Sequence, residues 1–420
     1  MNFGKTNQDR NMNFWNKTKG VEVLNALNLL FALLVVVLSV YPYGFYQRMF
    51  VTYFVVTYIL EFFVEKKWQT FHWKPSNWLY VNFLVFFCLP ICWIPFEESS
   101  EFTMGILENK LPFLLFGIVG IIGLNKLHRF RLYAYVFAIW SVVITLSVYC
   151  SIGFRQLMAT DDLTILFMFK RTELYTSHFI YDLFLNLGMI SAGYLLLKSK
   201  RVSSIICWSI SLLLIYVTLL ISDGRSGMIA AAVNFALLVF YYLWRRSKWL
   251  SVSMICVFLL LGVFVLKGKA KMQKDYSEDP RTVVWRHTIE LIKEKPLTGY
   301  GANDAETVFL DRVSHAQDIM DTKDETLLRG IEQRRFQNAH PLSQILQSEL
   351  EFGLIGLANI LLIIFLPVFF VRDSLNRLLA MQLTVAVFIQ LATDIFITTI
   401  PLFAYSLFVI ILLAHERKCE

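Results

Sequence analysis

Runs of about twenty mainly apolar residues recur along this chain, each long enough to cross the hydrocarbon core of a bilayer as a helix. Twelve can be counted, at roughly 22–41, 48–64, 77–96, 109–124, 131–152, 177–197, 203–221, 226–244, 249–266, 353–371, 377–394 and 400–415. The spans at 48–64 and 109–124 are the shortest. Composition agrees: 56% of residues are hydrophobic and 17% charged, where soluble domains carry about 25% charge. The fold expected is an all-α polytopic membrane protein with about 12 transmembrane helices.

Charge sets the orientation. With the N-terminus inside, the tails and the connections at 65–76, 125–130, 198–202, 245–248 and 372–376, with the adjoining helix ends, collect 20 Lys or Arg. The short connections on the other side collect six: Arg48, Lys110, Arg155, Lys170, Arg171 and Arg225. That asymmetry is the one that cytoplasmic loops carry, so both termini are expected in the cytoplasm. The formal net charge of +7 therefore reflects topology, and no nucleic-acid partner is implied. No cleavable signal is evident in the polar first 20 residues. The six cysteines are scattered through apolar runs and read as small hydrophobes rather than a disulfide or metal framework.

One segment breaks the rhythm. Residues 267–340 form a long polar loop on the outer face between spans nine and ten, and a loop of that length without a function is uncommon. The division expected is a tail at 1–21, a nine-span bundle at 22–266, the loop at 267–340, a three-span bundle at 341–415 and a tail at 416–420. Within the loop, "PRTVVWRHTIELIKEKPLTGYG" begins with Pro280, a good first-turn residue, and ends in Pro296 and Gly299. It reads as a helix with an apolar stripe of Trp285, Ile289 and Ile292.

Three outward-facing elements carry the chemistry. "SDGRSG" places Arg225 where span eight begins, and an arginine near membrane depth is a candidate functional residue. The loop helix supplies Arg281 and Arg286. "QNAHPLSQ" supplies His340 just before span ten. Arginine binds phosphate oxygens through bidentate, charge-assisted hydrogen bonds, and histidine exchanges protons near neutral pH. Five positions separate Arg281 from Arg286, about 140° on a helix, so the two need not face one site.

In this order the elements resemble the O-antigen ligase and polymerase family of bacterial membrane glycosyltransferases, over roughly residues 205–370. The resemblance rests on "SDGRSG", on Arg281 with Trp285 four residues on, on Pro296, Leu297, Gly299 and Gly301, and on Gly353, Leu354, Ile355 and Gly356 after a histidine. The family's histidine commonly lies eleven residues before the first of those last glycines. Here that position is Leu342, and His340 lies two residues earlier. His340 fills the role from a shifted position if "NAHP" is still loop, as Pro341 favours; otherwise His315 or a carboxylate acts.

The resemblance implies a metal-independent, inverting glycosyltransferase of the inner membrane, without a cofactor, in lipopolysaccharide biosynthesis. Its donor would be a glycan on undecaprenyl diphosphate, held at the periplasmic face by Arg225 and Arg281, with Arg286 a further phosphate contact. His340 would take the proton from the acceptor hydroxyl or orient it. The acceptor would be a lipid A-core in a ligase, the favoured reading, or a lipid-linked glycan in a polymerase. Metal-dependent oligosaccharyltransferases use outer acidic residues; Asp161 and Asp162 are the pair to compare, and read as solvated. A polytopic transporter is the rival from another class, with Gln390 and Asp394 its best polar residues, but no corresponding halves are found in the sequence.

Overall fold

The computed structural model describes residues 5–40, 44–69, 71–96, 104–152, 178–222, 224–249, 280–320, 340–393 and 401–416. Its first eight helices are α1 (Lys5–Leu38), α2 (Gly44–Val64), α3 (Asn77–Trp93), α4 (Met104–Ile122), α5 (Phe130–Ile152), α6 (His178–Lys198), α7 (Val202–Ile221) and α8 (Arg225–Trp244). Three loop helices follow, α9 (Pro280–Glu294), α10 (Ala302–Ser314) and α11 (Gln317–Met320), and then α12 (Gln344–Phe369), α13 (Ser374–Thr393) and α14 (Pro401–Glu416). Among the described residues the regular structure is entirely helical. Of the described helices, seven are long and apolar enough to cross a membrane: α1, α5, α6, α7, α8, α12 and α13. The expected ninth span, 249–266, lies outside the described residues but for Trp249.

Hydropathy does not say which spans face lipid; packing does. α6 sits among α5, α7, α8, α13 and α14 and is the most buried of the spans. Its small residues allow this: a Cβ on Gly188 would lie 2.0 Å from Ser141 Oγ on α5, so only glycine admits that approach. α7, by contrast, leaves Ile206, Ile210 and Leu213 exposed, the face expected against acyl chains.

The end of the bundle read as cytoplasmic is tied by a buried polar network. Glu61 on α2 accepts from Lys67 and from Asn125 Nδ2 at 2.8 Å. His128, between α4 and α5, accepts at Nδ1 from Tyr133 Oη at 2.7 Å and donates from Nε2 to Asn28 Oδ1 at 3.0 Å. Burial, reinforced by the Lys67 charge, pulls the His128 pKa down to about 3, so the ring stays neutral and keeps both bonds.

Two expected boundaries move. Lys110, read as a charge in an outer connection, lies inside α4 and is buried. Span ten begins at Gln344 rather than at 353, because Ser343 caps the helix by accepting from the Leu346 amide. The loop helix has the expected start at Pro280, and Ile292 of the expected stripe is buried, together with Val284, Thr288 and Leu291. Ile289 points outward, because α10, α11 and α12 pack on the Val284 face.

Candidate functional site

The two glycine motifs meet. α12 bends at Gly353, whose φ of 59° and ψ of −150° are open to glycine alone. The bend frees backbone groups of the helix ladder, and the segment after α9 takes them up. The Tyr300 amide donates to Leu350 O at 2.9 Å, the Gly301 amide to Glu351 O at 2.8 Å, and the Leu354 amide to Pro296 O at 3.0 Å. Contact is too close for side chains: a Cβ on Gly299 would lie 2.6 Å from the Gly353 amide nitrogen, and one on Gly353 would lie 2.3 Å from Leu297 O. "PLTGYG" is therefore a dock that seats the loop on the kinked helix.

Three side chains lock the dock. Lys110 Nζ on α4 donates to Glu351 Oε2 at 2.8 Å, with both side chains under a tenth exposed. Gln347 Nε2 donates to Glu351 Oε1 at 2.7 Å, and the Lys110 ammonium lies 4.3 Å from the Phe352 ring centre. Trp93, at the end of α3, donates its indole N–H to Thr298 O.

The dock fixes where α9 ends, and Arg281 stands in the first turn of that helix, at its other end. His340 lies in a turn just ahead of the Ser343 cap, so it precedes α12 and the helical offset from position 342 does not apply. Leu342 closes that turn at a positive φ of 52°, a conformation that costs a non-glycine residue about 1–2 kcal/mol. Its amide donates to His340 Nδ1 at 3.1 Å. With Nδ1 accepting, the neutral ring carries its hydrogen on Nε2. Burial, and then the Arg281 charge, lower the His340 pKa to about 4. The Arg281 charge thus acts on a neutral, Nε2-donating imidazole.

Arg286, expected as a further phosphate contact, turns elsewhere. Its guanidinium lies 3.6 Å from Asp318 Oδ2 with its side chain 58% exposed. Asp318 also takes His287 Nε2 at 2.9 Å, which fastens α11 to α9. Burial opposes ionisation of Asp318, but the bond and charge of His287, the Ile319 amide and Arg286 outweigh it and hold the carboxyl below its ordinary range. His315, the alternative histidine, is exposed at the end of α10, with Nδ1 2.8 Å from Asp311 O.

Arg225 is the first residue of α8 and is exposed. The turn before it is gripped by a residue the sequence reading passed over, Asp182 on α6. Ser222 Oγ donates to Asp182 Oδ1 at 2.8 Å, Asn186 Nδ2 donates to Gly227 O at 3.2 Å, and a Cβ on Gly224 would lie 1.6 Å from Asp182 Oδ2. The glycines of "SDGRSG" thus admit a buried carboxylate. Its signal was present: an ionisable residue in the apolar run "HFIYDLFLN" is a functional candidate by default. Asp161, Asp162, Asp223 and Asp394 lie outside the described residues.

The Arg225 turn, the loop helix with its dock, and the His340 turn fall in one stretch of the chain. Residues 210–361 match the O-antigen ligase family model. The O-antigen ligase match thus takes in the Arg225 turn, Arg281, the "PLTGYG" dock, His340 and the Gly353 kink. An uncharacterized protein of Haemophilus influenzae is 24% identical over 196 residues, covering 42% of this chain and 46% of the relative. The chain thus spans about half the length of the curated relative it matches.

Proposed function

We propose that this chain is an O-antigen ligase-type glycosyltransferase of the bacterial inner membrane, with twelve spans and its long loop in the periplasm. It moves a glycan from undecaprenyl diphosphate to a lipid A-core acceptor. The observation that carries this reading is that the Arg225 turn, Arg281 in the first turn of α9, the glycine dock and the buried His340 turn all lie within the family match.

In this mechanism Arg281 and Arg225 hold the diphosphate and stabilise the charge that grows on it as the glycosidic bond breaks. His340 donates from Nε2 to an oxygen of the diphosphate or of the acceptor. That role follows from its engaged Nδ1; a general base would need that lone pair free. The acceptor hydroxyl attacks the anomeric carbon opposite the leaving diphosphate and inverts it. One C–O bond forms, one breaks, and the hydroxyl proton ends on the departing diphosphate. No metal is required in this scheme. Arg286 is outside it, being engaged with Asp318.

A polymerase would differ only in taking a lipid-linked glycan as acceptor. A deletion strain distinguishes them: unattached full-length lipid-linked polymer accumulates if the chain is a ligase, single repeat units if it is a polymerase. Restoration by an Arg281→Ala gene would refute the role given to Arg281. Of the polar residues a transporter would use, Gln390 is buried within α13, and Asp394 lies outside the described residues.

A further inference from the structure

The far end of α8 carries a second cluster of cations. α8 has 20 residues, so its end lies about 30 Å from Arg225, at the opposite membrane face. There Lys198 closes α6, Arg245 and Arg246 follow α8, and Asp373 precedes α13. Together with Tyr241 and Tyr242 they line a cavity of about 430 Å³, with Leu197 and Leu375 completing the wall.

The cations in it are positioned rather than neutralised. The Arg245 guanidinium lies 4.8 Å from the Tyr241 ring centre and donates from Nη2 to Ser374 Oγ at 3.2 Å. Arg246 lies 5.5 Å from the Tyr242 ring centre. Asp373 Oδ2 accepts from the Leu375 and Asn376 amides at 3.1 Å each at the start of α13. Among the described residues no carboxylate lies within ion-pair distance of Lys198, Arg245 or Arg246. Trp244 and Trp249 are exposed beside the cavity, Trp249 at 84%, as indole rings are at the headgroup level.

Three cations against one engaged carboxylate, two aromatic walls and an apolar back, at headgroup depth, match an anionic phosphate ester with acyl chains attached. We propose that this cavity binds the headgroup of an anionic phospholipid, drawn from the leaflet opposite the Arg281–His340 site. The site requires only that the bundle sit in a membrane, and it is independent of glycosyl transfer.

Native mass spectrometry of the full-length protein tests it, with phosphatidylglycerol, phosphatidylcholine and soluble glycerol phosphate as probes. Phosphatidylglycerol should be retained in preference to phosphatidylcholine and should not be displaced by glycerol phosphate. Affinity should fall about fivefold for each of Lys198→Gln, Arg245→Gln and Arg246→Gln, and about 100-fold for the three together. A photoactivatable phosphatidylglycerol should crosslink the unaltered protein at 197–198, 241–246 or 373–375, an arm that stands even if the triple variant does not fold. Equal retention of both lipids, crosslinks only elsewhere, or displacement by glycerol phosphate would overturn the proposal.

Discussion

Lys110→Met should unseat the loop from the kinked helix without touching any residue of the proposed transfer site. The substitution removes the cation 2.8 Å from Glu351 Oε2 in a setting where the two side chains are 6% and 8% exposed. Breaking a buried ion pair from one side typically costs about 3–5 kcal/mol, because the remaining charge is stranded. Glu351 would keep only Gln347 Nε2 as a side-chain donor. The opposite change, Glu351→Gln, should cost less. Lys110 would then retain the Phe352 and Phe86 ring faces at 4.3 and 5.2 Å, worth about 0.5–2 kcal/mol. Lys110→Met with Glu351→Met removes both charges and should recover most of the loss, since well-packed apolar replacements of buried pairs are often neutral. Unfolding of the purified protein in detergent, followed for the unaltered protein, Lys110→Met, Glu351→Met and the double variant, gives the coupling. A single Lys110→Met variant within about 1 kcal/mol of the unaltered protein, or a double variant that loses the sum of the two singles, would refute the reasoning.

The other expectations are more local. Gly353→Ala puts a Cβ 2.3 Å from Leu297 O at a φ of 59°, so it should destabilise by about 3 kcal/mol or more and expose residues 280–300 to protease. Arg286→Ala removes a solvent-exposed contact and should change stability by less than about 1 kcal/mol with transfer retained, whereas Arg281→Ala should abolish transfer at unchanged protein level. His340 binds its proton less readily folded than unfolded, so its contribution is complete above pH 6.5 and is lost as pH falls from 6.5 toward about 4. A shift of that size corresponds to on the order of 3 kcal/mol. Nuclear magnetic resonance titration of the imidazole checks it, and removing the Arg281 charge should raise the midpoint.

Much of the frame was legible in the sequence because membrane spans announce themselves by length. Helices occupy the expected stretches wherever residues are described, and Pro280 marks the start of the loop helix as read. What the sequence could not convey is which faces meet. Lys110 and Glu351 are 241 residues apart, and nothing local to "ENKLPF" reveals a partner on α12. Trp285, Ile289 and Ile292 made a plausible stripe, yet tertiary packing buries Ile292 with Val284, Thr288 and Leu291 and leaves Ile289 outward. The glycines of "PLTGYG" and "GLIG" were visible as a pattern, but their reason, mutual backbone contact, needed the fold. Position 340 looked displaced only under the assumption that the helix already ran there; the Ser343 cap removes that premise. Asp182 was legible and passed over, being hidden in a span that hydropathy alone had explained.

The most direct test is a cryo-electron microscopy structure of the full-length protein in a lipid nanodisc with an isoprenoid diphosphate bound. The diphosphate should lie against the Arg281 guanidinium and His340 Nε2, within reach of Arg225 and on the face away from Arg245 and Arg246. A diphosphate bound elsewhere, with the Arg281 and His340 side chains directed away from it, would contradict the account.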